Sequence, residues 1–276
     1  MKIKTKHTIY DLTERTHIMG ILNVTPDSFS DGGSYDSVHK AVQQAILMEG
    51  EGADILDIGG ESTRPDHDPV ALDEELNRVI PAIKAIKEKV SLPISIDTYK
   101  AETARRAIEA GADIINDVWG AKKEPAIAQV AAEFDVPIIL MHNRDNMDYE
   151  DLIEDMKQDL KESIDIARSA GVKEENIILD PGVGFAKTGA HNLMVMNNLE
   201  AFRELGFPML LGTSRKRFIG NVLDNEPKQR DVGTGATTCL GITKGIKIVR
   251  VHNVRMNKEL ATMMDAMLKS GSEEIG

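Results

Sequence analysis

Gly52-Ala-Asp-Ile55 and, 59 residues further on, Gly111-Ala-Asp-Ile114 each close one pattern and open another. Upstream of each lies a stretch of helical character, the glycine supplies the left-handed turn that ends a helix, and the isoleucine begins a short apolar run. Gly171 after Ala170 ends a further helix in the same way. Apolar runs that read as fully buried strands lie at 18–22, 55–58, 94–96, 114–115, 137–140, 177–179, 209–211 and 246–251. Amphipathic stretches separate them. Val38, Val42, Ala45, Ile46 and Glu49 follow helical spacing, and Leu152, Met156, Leu160, Ile164 and Ala167 do so more regularly. Eight strands alternating with helices over about 250 residues predict an α/β fold, a (β/α)8 TIM barrel. Residues 1–276 then form one domain, with 1–16 as an N-terminal extension. A doubly wound sheet fits less well, because Asn23-Val-Thr-Pro follows the first run and no GxGxxG or GxxxxGK appears. Pro81 falls inside the apolar pattern Leu72, Leu76, Ile80, Ile83 and predicts a kink or a helix that starts late.

Composition bounds what the barrel can do. With 276 residues, 41% hydrophobic and 28% charged, the chain can bury a large core. Thirty-three basic against 45 acidic residues leave a net charge of −12, so no surface-wide attraction for nucleic acid or an anionic membrane is expected. An anionic ligand must be held by a local cluster. The first fourteen residues are charged throughout and carry no apolar run, which reads as a cytoplasmic protein. Cys239, the only cysteine, excludes an internal disulfide and a cysteine-based metal site, and reads as a small buried helix residue. The acidic stretch 149–165 and the histidines other than His142 and His252 read as solvated surface.

Polar residues follow every strand run: Asn23, Gly59-Gly-Glu-Ser-Thr-Arg-Pro65, Asp97, Asn116-Asp117, Met141-His142, Asp180-Pro-Gly-Val-Gly184, Ser214-Arg-Lys-Arg217, and Arg250 with His252. In a barrel these positions converge on one rim, where active sites of the fold are built. Asp97, Asn116 and Asp180 supply acceptors for a flat heterocycle with several N–H donors, and Lys216 could meet the ring's acceptor side. Arg250, His252, Asn23 and Thr63 form a second cluster, three donors and an oxygen ligand, suited to a phosphate group with Mg²⁺. The polar loops 25–33 and 61–68 are long enough to cover the site. Each residue alone has a plainer reading: Asp97 as a helix N-cap, Asp180-Pro-Gly as a turn, His252 as a surface histidine, Lys216 as part of a solvated basic face. Joint placement at eight strand ends favours the site.

The strings Asn23-Val-Thr-Pro-Asp-Ser-Phe-Ser-Asp-Gly-Gly33, Gly60-Glu-Ser-Thr-Arg-Pro65, Ser95-Ile-Asp-Thr98, Asn116-Asp117, Asp180-Pro-Gly-Val-Gly-Phe-Ala-Lys187, Ser214-Arg-Lys216 and Arg250-Val-His252 resemble, in order, the motifs of the dihydropteroate synthase family. The resemblance implies a transferase of folate synthesis that joins p-aminobenzoate to 6-hydroxymethyl-7,8-dihydropterin diphosphate and releases pyrophosphate. It implies that Asp97, Asn116, Asp180 and Lys216 hold the pterin, that Asn23 meets Mg²⁺, and that Thr63, Arg250 and His252 hold pyrophosphate. The p-aminobenzoate would lie against Phe29, Pro65 and the Lys216-Arg217 segment, with Asp31 and Arg64 helping to hold the two loops, and sulfonamides would compete there. A homodimer is also implied. The chain departs from the family at Asp66, where glycine is common, and at Asn253, where aspartate is common. A corrinoid-dependent methyltransferase barrel shares the acceptor cluster and is the alternative; the anion cluster and the first loop argue against it.

Overall fold

All eight apolar runs become parallel strands. The structure, a computed structural model, describes residues 2–4, 9–24, 34–61 and 70–270. An antiparallel pair, β1 (Lys2–Lys4) and β2 (Ile9–Asp11), precedes the barrel strands β3 (His17–Asn23), β4 (Ile55–Gly59), β5 (Ile94–Asp97), β6 (Ile114–Asp117), β7 (Ile138–Met141), β8 (Ile177–Asp180), β9 (Leu210–Leu211) and β10 (Ile248–Val251). Between and after them run α1 (Ser34–Gly50), α2 (Leu72–Lys87), α3 (Ala101–Ala110), α4 (Ala126–Phe134), α5 (Leu152–Ser169), α6 (Gly189–Asn197), α7 (Arg217–Leu223), α8 (Asp231–Thr243) and α9 (Val254–Ser270). Neighbours in the sheet run β8-β7-β6-β5-β4-β3-β10-β9, and a parallel bridge between Leu179 and Met209 joins the two ends into a ring.

Strand side chains alternate between two environments, as the two-residue period requires. Ile18, Leu22, Leu56, Ile58, Ile96, Ile115, Leu140 and Leu179 point outward into the core shared with the helices. Met19, Ile55, Ile114, Ile139, Ile178, Leu210 and Ile248 point inward and form a separate apolar layer at the N-terminal end of the barrel. Leu12 belongs to that layer and Tyr10 packs against it, donating its hydroxyl to the Asp54 carbonyl at 3.0 Å. The N-terminal extension therefore plugs the floor of the barrel. Asp54 holds it there: the carboxylate accepts two bonds from Arg15 (2.6 and 2.9 Å) and one from the Ile18 amide (2.8 Å).

Several expectations change. Helix α2 runs through Pro81 from Leu72, so it does not start late; Pro81 and Asn77, whose carbonyl loses its partner, both face solvent, where water can replace the bond. In α1 the buried stripe is Ala41, Ala45 and Met48, and Ile46 is exposed. Cys239 is only half-buried on α8. His17 is buried in β3, edge-on to Tyr10, rather than solvated. Gly111 and Gly171 do take positive φ at helix ends.

Candidate active site

Two residues beyond each inward floor residue the same face of the strand reaches the rim. From Ile55 this gives Asp57 and Gly59, from Ile114 Asn116, from Ile178 Asp180, from Leu210 Gly212, and from Ile248 Arg250 and then His252. Asn23 and Asp97 share this inward parity. Asn23, Asp97 and Asp180 are the last residues of their strands, not the residues after them, because the hydrogen-bond ladder continues one step past the apolar run.

Arg250 stands at the centre. Its Nε donates to Asp57 Oδ2 at 2.6 Å and its Nη2 to Asp97 Oδ2 at 2.7 Å, while Asn116 Nδ2 donates to the same Asp57 oxygen at 3.2 Å. Asp57 is fully buried, and Asp97, Asn116 and Asp180 nearly so. Burial pushes the Asp97 carboxyl upward; Arg250 offsets part of this and Asp57 adds to it. Oδ1 of Asp97 is buried without a hydrogen-bond partner among the described residues, as are Oδ1 of Asp57 and the Ser95 hydroxyl. An acceptor in that state needs a donor from a ligand or from water.

Asp180 uses Oδ1 to accept from the Gly182 amide at 2.7 Å. Its Oδ2 faces Gly212, where an added Cβ would stand 3.7 Å away. Burial also raises the Asp180 carboxyl, against the pull of Lys216. Lys216, the N-cap of α7, donates Nζ to the Val183 carbonyl and lies 4.5 Å from the Phe185 ring centroid. Burial lowers its pKa to about 8, with Asp180 opposing. Asn23 Oδ1 and the Asp97 carboxylate both border the gap over Gly59, at 3.5 and 3.7 Å from where a Cβ would sit.

His252 is set by Ser214. The serine hydroxyl lies 2.8 Å from Nδ1 and accepts from the His252 amide at 3.1 Å. Arg215 turns away from the site at a φ of 58° and pairs through two bonds with Asp231. Asn253 donates to Asp231 at 3.0 Å and accepts from the Met256 amide, so its departure from the family pattern caps α9. Arg217 is exposed at the start of α7. Phe29, Asp31, Thr63, Arg64, Pro65 and Asp66 lie outside the described residues, and with them loop 25–33 and all of loop 61–68 except Glu61.

The structure thus brings Asn23, Asp97, Asn116, Asp180, Lys216, Arg250 and His252 to one end of the barrel. Residues 19–252 match the family described as pterin binding enzyme. A Bacillus subtilis dihydropteroate synthase is 60% identical over 99% of this chain and 96% of its own length. The chain belongs to the dihydropteroate synthase family. A Clostridium difficile dihydropteroate synthase solved in the presence of pteroic acid is 52% identical, with a TM-score of 0.92 over 94% of this chain and 98% of that one. The Xanthomonas albilineans dihydropteroate synthase in complex with 7,8-dihydropteroate is 39% identical, with a TM-score of 0.90 over 97% of this chain and 99% of that one.

Within this dihydropteroate synthase fold, sequence reasoning missed Asp57. It sits inside the apolar run Ile55-Leu-Asp-Ile58 and reads as strand, yet a carboxylate at inward parity two residues above a floor isoleucine was the available signal. Asp117 points the other way from Asn116 and accepts from the Trp119 and Ala121 amides (2.8 and 2.6 Å), tying down the turn after β6. No helix among the described residues is long and apolar enough to cross a membrane.

Proposed function

We propose that this pocket joins 6-hydroxymethyl-7,8-dihydropterin diphosphate to p-aminobenzoate, giving 7,8-dihydropteroate and pyrophosphate. The observation that carries the reading is the buried, unpartnered Oδ1 of Asp97 beside Asn116 and Asp180. Three acceptor-bearing side chains on one inward ring, with the Lys216 ammonium close enough to interact with Asp180, match a ring that offers adjacent N–H donors on one edge and an acceptor beside it.

The pterin methylene carbon loses its C–O bond to the diphosphate, the electron pair leaving with pyrophosphate. The resulting cation is delocalised into the electron-rich ring, so no protein nucleophile is required. The aniline nitrogen of p-aminobenzoate then forms the C–N bond and gives up a proton. Buried Asp97 and Asp180 stabilise the cation electrostatically, while Arg250 and His252 donate to the departing anion. The aromatic amine would approach along Lys216 and Arg217, with Phe29, Pro65, Asp31 and Arg64 assigned to its enclosure and Thr63 to pyrophosphate on the family resemblance.

Mg²⁺ fits the donors present only as a substrate-borne ion. Among the described residues no group of three or more carboxylate, histidine or cysteine side chains could hold a metal, and Asn23 Oδ1 at the rim is a single hard oxygen. That is the arrangement expected of Mg²⁺, which keeps several waters and shares few protein oxygens with substrate phosphates. When bound it would neutralise charge on the diphosphate. A homodimer is proposed on the same resemblance, and a cytoplasmic location on the sequence reading given above.

The test is incubation with the pterin diphosphate, labelled p-aminobenzoate and Mg²⁺. Labelled dihydropteroate and pyrophosphate in equal amounts are expected, with a sulfonamide competing against p-aminobenzoate. A folded protein that forms no dihydropteroate would overturn the reading.

A further inference from the structure

The loop that follows β8 is held from below by buried charged side chains that no step above employs. Lys187 ends this loop and is 8% exposed. Its Nζ donates to the carbonyls of Gly182 (3.0 Å) and Phe185 (2.9 Å) and lies 2.9 Å from Nδ1 of His142. An ammonium has three N–H groups, and here each has one acceptor. His142, 1% exposed, places Nε2 at 2.9 Å from Oδ2 of Asp159 on α5, which also accepts from Arg144 Nε. An ionised carboxylate only accepts, so Nε2 carries the hydrogen and a neutral ring leaves Nδ1 to accept from Lys187. In water lysine is the stronger base by about 4 pKa units, which puts the shared proton on Lys187. Burial lowers both groups, Lys187 to about 7 and His142 to about 4, and so preserves that order.

The two carbonyls that Lys187 grips belong to the segment that orients the ring-reading residues. The Gly182 amide donates to Asp180, the Val183 carbonyl accepts from Lys216, and the Phe185 ring lies against the Lys216 ammonium. Asn192 and Tyr149 anchor other points, through Gly184 N at 2.6 Å and Ala186 O at 3.0 Å. Taking an ammonium out of water is costly, and an apolar chain of equal length would fill the same space. What the charge adds is direction.

We propose that Lys187, oriented by His142 and Asp159, is a positioning residue that fixes residues 182–185 so that Asp180 and Lys216 meet the pterin in one geometry. This rests on the pterin reading of the pocket. Lys187→Met keeps most of the length and bulk, one atom short, but removes all three donors. Calorimetric titration with 6-hydroxymethylpterin should show affinity at least tenfold weaker than wild type, with KM for the pterin diphosphate rising more than kcat changes. Pyrophosphate, held at Arg250 and His252, should bind within twofold of wild type. Unchanged pterin affinity in a folded variant overturns the proposal, as does a parallel loss of pterin and pyrophosphate affinity, the mark of general disorder. Wild-type protein that binds no pterin overturns the function reading together with this one, whereas a pterin-binding wild type with an unaffected variant overturns this one alone. In unaltered protein, nitrogen NMR at pH 7 should find Nδ1 of His142 without a proton, the signal being assigned by its loss in His142→Gln; a protonated Nδ1 contradicts the arrangement.

Discussion

Arg250 is already committed to two carboxylates. Two of the five N–H groups of its guanidinium are bound to Asp57 and Asp97, and under the proposed reaction the rest would serve the leaving group. Burial opposes its charge, but the two carboxylates outweigh this and raise its pKa, so it stays protonated across the working pH range. Arg250→Ala removes a preorganised donor and should lower kcat on the order of a hundredfold or more. It also leaves two buried carboxylates without their cation, so a melting curve should be recorded beside the kinetics. Turnover near that of wild type would remove Arg250 from the reaction. The residue list was legible as far as the rim: Asn23, Asp97, Asn116, Asp180, Lys216, Arg250 and His252 all gather at that end of the barrel, with Asn23, Asp97 and Asp180 inside their strands rather than after them. The pairings of Asp57 with Arg250 and of Ser214 with His252 were not legible, because contact between distant side chains leaves no periodic trace.

At the scale of the element, strand parity sorts each motif into a site residue and a structural one. Asn116 faces the pocket while Asp117 caps the turn behind it, although the two are adjacent in the chain. The loop after β8 shows how little room such a turn leaves. Gly182 has a φ of 63°, and a Cβ there would stand 2.0 Å from the His142 carbonyl oxygen. Gly182→Ala must therefore push the loop off β7, moving the amide that holds Asp180. The variant is expected to lose at least tenfold in pterin affinity by the same titration while its far-ultraviolet circular dichroism stays that of wild type, since the barrel strands are untouched. Normal pterin affinity would show that the loop tolerates displacement. The acidic stretch of α5 reads as solvated, and most of it is, but Asp159 is drawn into the interior: burial opposes its ionisation, and bonds from His142 and Arg144 outweigh that and hold its pKa well below the usual carboxylate range.

At the scale of the whole molecule, the barrel separates its stability from its chemistry along one axis. The apolar floor closed by Leu12 lies at the opposite end from the site. Leu12→Ala should cost about 2–5 kcal/mol, read as a fall in the urea midpoint, with KM for both substrates unchanged. A large change in KM would mean that floor and rim are coupled. The N-terminal residues read only as an extension, because β1 and β2 are three residues each and carry too little pattern to announce a hairpin. The sequence by itself determined the eight strands, their crossovers and the rim on which the polar residues gather, since period, glycine stops and apolar runs are local properties of the chain. Only the tertiary structure decided that Arg250 meets Asp57 across 193 residues, that Lys187 meets His142, and that Leu12 closes the floor. Those contacts exist because ring closure sets β10 beside β3, and pairing of consecutive strands sets β7 beside β8, and burial then requires each charge to find its partner inside.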